Sequence, residues 1–256
     1  MIRSLIRSLL RRLGFLIITT GHNAARYVED PPSDVFGGVL LRAFHSLEGL
    51  RFIQVGANDG LRADPIHRYV LRYHWTGCLL EPLPAYFQAL RENYRSVTGL
   101  QFLNAALGST TGRAEIFQLR PGQPNLPDWA WGLASLDRNR LLAAAAELNL
   151  DELSICSESV DVITWGELQR TGSVDRCDLL IIDTEGLDIQ LLRMAPLAQL
   201  SPRVIHFEHA CASSMDRLAI YADLLAMGYE ISTDGGDTIA YFANHPARLQ
   251  AKEEPA

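Results

Sequence analysis

From residue 51 onward, short apolar runs alternate with segments whose apolar positions recur every three or four residues. The runs Phe52-Ile53, Cys78-Leu79-Leu80, Leu179–Ile182 and Val204-Ile205 are too short for helices and are closed by glycine or an acid. This rhythm predicts strands over 51–56, 77–81, 100–107, 113–119, 155–163, 178–183 and 204–208. Helical spacing predicts helices over 35–47, 65–73, 84–94, 136–148, 187–194 and 215–227. Pro65 fits the first turn of its helix. Residues 228–233 and 238–242 form a hairpin around Asp234-Gly235-Gly236. Strand-helix alternation of this kind makes an α/β fold with a mostly parallel sheet and a C-terminal antiparallel hairpin.

Two pieces of this pattern carry chemistry. The first strand runs into Gly56-Ala57-Asn58-Asp59-Gly60, and the second ends on Glu81, about twenty residues further on. Glycines let the backbone approach a ligand closely, and an acid at that distance suits ribose hydroxyls. Two later strands also end in acids, Asp183 and Glu208. In an open α/β sheet, ligands sit at the carboxyl ends of the strands, so Glu81, Asp183 and Glu208 are expected at the mouth of one site.

Charge narrows the ligand. A dinucleotide sets a pyrophosphate on the first helix N-terminus. Here Asp59 and Asp64 would repel it. S-adenosylmethionine (SAM) carries no phosphate. Its sulfonium and ammonium tolerate acids, and its carboxylate is a guest for backbone N–H groups. SAM is therefore favoured over NAD.

Composition changes this picture little. The chain has 256 residues, 48% hydrophobic and 21% charged, which suits an ordinary globular domain. Cys78, Cys156, Cys177 and Cys211 are scattered without metal-ligand spacing, which favours reduced thiols and a cytoplasmic setting. Residues 1–12 hold four arginines and no acid. The net charge is −7, so the remainder carries −11, the difference between −7 and +4. An acidic body argues against a nucleic-acid partner.

The first residues form a separate pattern. Ile2, Leu5, Ile6, Leu9, Leu10 and Leu13 recur at helical spacing between arginines. The apolar stretch 13–20 is too short to span a bilayer, and no small-x-small cleavage site follows it. The open readings are a helix packing on its own domain, a helix lying on the inner face of a membrane, and a signal sequence. The organisation expected is a basic amphipathic segment (1–20), a helical extension (21–50), a cofactor-binding domain (51–245) and a short tail (246–256).

Four segments in order then bear a specific resemblance: FIQVGANDG (52–60), LLEPLPAYFQAL (79–90), LNAALGSTTG (103–112) and VDRCDLLIIDTEGLDIQLL (174–192). Together they resemble the FkbM family of SAM-dependent methyltransferases over about residues 51–242, and IDTEG (182–186) is the most distinctive piece. The resemblance implies a Rossmann-like class I methyltransferase fold with a seven-stranded sheet. It also implies O-methylation of a hydroxyl on a sugar, a polyketide or another small molecule. One departure stands out. The family commonly has an acid two positions before the first glycine, where this chain has Gln54.

Under that reading Gln54, Gly56, Ala57, Asn58 and Gly60 line the methionine end of SAM, Glu81 takes the ribose, and Asn104 and Ala105 face the adenine. Asp183 lies nearest the methyl group. His209, just past the 204–208 strand, is the expected general base, since histidine titrates near neutrality. Asp183 and Glu208 are its partners or substitutes. Asp183, Glu208 and His209 would also suit Mg²⁺, but no ligand motif demands a metal and none is expected. Residues 121–132, with three prolines and two tryptophans, form a long insert in which Trp129 and Trp131 would wall the acceptor. The expected partner is a small-molecule hydroxyl, on a sugar or a lipid-linked acceptor. Two other classes stay open: a catalytically silent SAM-binding or membrane-associated module, and an NAD-type oxidoreductase.

Overall fold

The computed structural model describes residues 34–123, 126–127, 130–172 and 174–243. The basic segment 1–20, Trp129 and the tail 246–256 lie outside the described residues. None of the described helices is long and apolar enough to cross a membrane.

The chain enters through helix α1 (Val35–Ala43), capped by the Asp34 side chain on the Gly37 N–H at 2.7 Å. Strand β1 (Arg51–Val55) follows, then α2 (His67–Tyr73), β2 (Thr76–Leu80), α3 (Pro84–Asn93) and β3 (Leu100–Leu103). After an excursion described below come β8 (Leu179–Ile182), α6 (Asp188–Met194), α7 (Leu197–Leu200), β9 (Val204–Glu208), α8 (Ser214–Ala226), β10 (Glu230–Asp234) and β11 (Asp237–Tyr241). These strands form one seven-stranded sheet in the order β3-β2-β1-β8-β9-β11-β10. All pairs from β3 to β9 are parallel, and β11 runs antiparallel between β9 and β10. Strand order reverses beside β1, whose two neighbours are β2 and β8.

Alternation along β1 assigns the two faces of the sheet. Phe52 packs with Leu79, Leu179 and Ile181 against α1, α2 and α3. Ile53 and Val55 pack with Leu80, Ile182 and Phe207 against α5 (Trp165–Thr171), α6 and α8. The helix expected in the N-terminal extension thus shares the core of the sheet: Phe36, Val39, Leu40 and Ala43 are all buried there.

The excursion builds a second sheet. The single strand expected over 100–107 divides at Asn104-Ala105. Its end, β4 (Ala106–Leu107), leaves the main sheet and pairs with β7 (Ile155–Ile163). β5 (Gly112–Leu119) pairs antiparallel with β7 along its length, and β6 (Ala134–Ser135) adds a short edge. Helix α4 (Arg138–Glu147) covers this sheet through Leu141, Ala144 and Ala145. Helix α5, absent from the expected elements, starts with a capping box between Thr164 and Glu167.

Candidate functional site

The carboxyl ends of β1, β2 and β8 open into a cleft. Its floor is Val55, Gly56 and Asn58 from β1 and its turn, Glu81-Pro82 after β2, and Asp183-Thr184-Glu185 after β8. Its walls are Ala105–Leu107, Ile116, Leu187 and Leu191. The second sheet closes it with Gly132 and Ala134–Leu136. Three carboxylates line the cleft, and no Lys, Arg or His is among the described residues lining it.

Glu81 is only 6% exposed, and each oxygen accepts one backbone N–H: Oε2 from Asn58 and Oε1 from Leu83, both at 2.9 Å. Burial pushes its pKa up to about 7. The two N–H donors pull the other way, and the charge of Asp59 adds to the rise. Gly56 sits at φ +79°, and a Cβ there would lie 1.7 Å from the Asp183 carbonyl oxygen. Glycine is therefore required by the close pass of β8, not by a ligand.

Asp183 is open to the cleft, and its N–H donates to Val55 O at 2.9 Å. Burial, then the charges of Asp188, Glu185, Glu208 and Asp237, hold its pKa well above the ordinary value. The loop after it is tied by Asp188, a buried acid that accepts from Thr184 N, Thr184 Oγ1, Gly186 N and Glu208 N.

The structure places several of the expected residues outside the cleft lining. Gln54 points to the α2–α3 face, where its Nε2 donates to Asp64 Oδ2 at 3.3 Å, and it does not line the cleft. Ala57 is buried in the core, with its N–H bonded to Leu80 O. Gly60 turns the chain under Leu90 and Tyr94, where a Cβ would meet Leu90 Cδ1 at 2.4 Å. The turn amides expected to receive a carboxylate are already engaged. Gly56 and Ala57 donate to Leu80 O, Asn58 to Glu81, Asp59 to Asn58 Oδ1, and Gly60 to Ala57 O.

Asn104 is exposed and outside the cleft lining. Its Nδ2 donates to the carbonyls of Glu81 and Pro82, which fixes the turn after β2. Ala105 lines the cleft.

His209 is another residue outside the lining. It is buried, with Nδ1 2.9 Å from Thr238 Oγ1 and its N–H bonded to Gly236 O, and it does not line the cleft. Burial, then the nearby Arg217 charge, lowers its pKa. β11, lying antiparallel beside β9, supplies Thr238 to the ring, and the turn before it supplies Gly236 to the N–H. Glu208 also stands behind the cleft lining, its pKa raised to about 7 by burial and by the charges of Glu185 and Asp188. The trio considered for Mg²⁺ is not assembled. The groups that approach within 4.8 Å are those of Glu185, Glu208 and Cys211, and Arg140 already neutralises Glu185 at 2.8 Å.

The family model for the methyltransferase FkbM domain matches residues 54–231, from the middle of β1 into β10. The chain belongs to the FkbM methyltransferase family. Among solved structures, a methyltransferase FkbM from Methylobacillus flagellatus KT is similar at 16% identity and a TM-score of 0.45. The match covers 76% of this chain but 44% of that one, so this chain spans less than half of that protein's length. A precorrin-6y C5,15-methyltransferase from Geobacter metallireducens GS-15 is 14% identical, with a TM-score of 0.40, over 85% of this chain and 92% of that one. No curated protein matches the chain.

This FkbM site has further parts besides the strand-end acids. Arg140 on α4 reaches across to Glu185 and holds that carboxylate at the cleft wall. Ser135 Oγ donates to Glu185 O at 2.9 Å, so β6 is fastened to the loop after β8. Gly132 lies so tightly on Asn58 that a Cβ would sit 2.0 Å from Asn58 Nδ2. The insert is thereby pinned to the turn after β1. The cue for Arg140 was slight: one of two arginines early in an alanine-rich helix.

Proposed function

We propose that the chain is a SAM-dependent methyltransferase acting on a hydroxyl of a small molecule, a sugar or a lipid-linked acceptor. The observation that carries this reading is the sign of the charges lining the cleft: its ionisable residues among those described, Glu81, Asp183 and Glu185, are all acids at the carboxyl ends of the strands. A pyrophosphate would be repelled there, whereas a sulfonium and an ammonium would be attracted.

The residues present fit this cofactor. Each Glu81 oxygen has spent one lone pair on a backbone N–H, which leaves an acceptor site on each for a ribose diol. Ala105, Ala106, Leu107, Ile116, Leu187 and Leu191 make an apolar wall suited to a purine. When bound, the cofactor supplies an electrophilic methyl group. The chain's own work is to orient the acceptor oxygen and remove its proton. Asp183 takes that role in our reading: it is open to the cleft, and its raised pKa suits a proton acceptor better than an ordinary carboxylate. Glu185, held by Arg140 and beside the Ser135 anchor, forms the acceptor side of the cleft.

The test is transfer of an isotopically labelled methyl group from SAM to a panel of glycosides and lipid-linked sugars. Label on a hydroxyl oxygen supports the proposal. Label only on nitrogen or carbon acceptors contradicts the hydroxyl assignment.

A further inference from the structure

The amino-acid arm of the proposed cofactor poses a charge problem that the cleft lining does not solve. Its α-carboxylate needs donors or a cation. The turn amides from Gly56 to Gly60 are engaged internally, and Leu61 N and Arg62 N both donate to Asp59 Oδ1. The hydroxyl donors of the lining are spent as well: Ser135 Oγ on Glu185 O and Thr184 Oγ1 on Asp188. Asn58 Nδ2 is a neutral donor at that end, and three carboxylates face the same space.

Two arginines flank the cleft. Arg140 is half-buried and committed to Glu185 at 2.8 Å. Arg62 is at the other end, four residues past Asn58, with a side chain 62% exposed. Its guanidinium rests over the Trp131 ring at 4.8 Å and lies 3.8 Å from Asp59. Trp131 adjoins Gly132, which lines the cleft and is pinned on Asn58. An exposed cation–π contact and a long surface ion pair are each worth under about 1 kcal/mol. Arg62 is therefore a cation at the mouth that can be redirected at little cost.

We propose that Arg62, held over Trp131 at the rim of the cleft, binds the α-carboxylate of the cofactor's amino-acid arm. The inference rests on the SAM reading above. It assigns Trp131 a second role beside any acceptor contact: a flat rest that keeps the guanidinium at the mouth and away from Asp183 and Glu185. A guanidinium suits the task because its forked donors match a carboxylate in two parallel bonds.

Calorimetry with SAM and with decarboxylated SAM isolates this contact, since the two differ only in the carboxylate. The wild-type chain is expected to prefer SAM by about tenfold or more. Arg62→Ala should erase that preference by weakening SAM and leaving decarboxylated SAM unchanged, while Arg62→Lys keeps part of it. If Arg62→Ala retains the full preference, or weakens both ligands equally, the assignment of Arg62 is wrong although the cofactor reading stands. If the wild-type chain binds neither ligand, the cofactor reading falls and this inference with it.

Discussion

The Oε2 atom of Glu81 accepts the backbone N–H of Asn58 at 2.9 Å, which ties the end of β2 to the turn after β1. One carboxylate thus shapes the turn and faces the cleft. Replacing Glu81 by Ala should lower SAM affinity by at least about tenfold, because the lost bonds are to a charged group. It should also lower the melting temperature without ligand, because the N–H groups of Asn58 and Leu83 lose their acceptors. Calorimetry and thermal melting separate the two losses. A variant that melts lower but binds SAM as before would show that Glu81 only builds the turn.

Gly56 and Gly38 should respond in opposite ways to alanine. At Gly56 the new Cβ would strike the Asp183 carbonyl at 1.7 Å, with φ at +79°. We expect Gly56→Ala to cost more than about 3 kcal/mol, or to abolish soluble expression. Gly38 lies within α1, where an added Cβ would meet nothing within 4 Å among the described residues. Gly38→Ala should stabilise the fold by about 0.5–1 kcal/mol. Urea unfolding of both variants checks the pair.

Turnover should distinguish Asp183 from His209. Asp183→Asn should reduce kcat by about a hundredfold or more, the range for loss of a general base. His209→Ala removes a ring bonded to Thr238 outside the cleft lining, and should leave kcat near wild type while lowering stability. The reverse pattern would restore the histidine as the base.

Acidity should stabilise the chain when no ligand is bound. Burial raises Glu81 to about 7 and Asp188 to about 6, and Glu208 is raised to about 7. Between their unfolded values and these, the folded state binds more protons than the unfolded state. The stability these groups contribute is full below about pH 4 and is lost as pH rises through 6 to 7. The melting temperature without ligand should therefore fall from pH 5 to pH 8. SAM carries a sulfonium charge that S-adenosylhomocysteine lacks, so the affinity ratio of the two should rise over the same interval. A flat ratio would mean that the acids do not face the sulfonium.

The core strands were legible because each is a short apolar run closed by glycine or an acid, and such runs need both faces covered. Glu81 and Asp183 followed directly, since the residue after a parallel strand sits at the sheet's carboxyl edge. The inward or outward direction of Gln54 was also readable in principle: it shares the parity of Phe52, whose face packs on α1, α2 and α3. Helix α5 carried a plain Thr-x-x-Glu start signal at Thr164–Glu167 that its short apolar pattern masked.

The second sheet was not legible. β4 leaves the main sheet only because β7, some fifty residues later, pairs with Ala106-Leu107, and local sequence does not encode that distance. The surroundings of His209 were illegible for a related reason. Its ring is claimed by Thr238 and its N–H by Gly236, both brought alongside by the antiparallel placement of β11.

The central claim is that an acidic cleft at the ends of β1, β2 and β8 takes SAM in place of a dinucleotide. Calorimetric titration of the wild-type chain with S-adenosylhomocysteine and with NAD tests it most directly. The account predicts saturable binding of S-adenosylhomocysteine, weakened in Glu81→Ala, and no heat from NAD. Saturable binding of NAD with none of S-adenosylhomocysteine would contradict it.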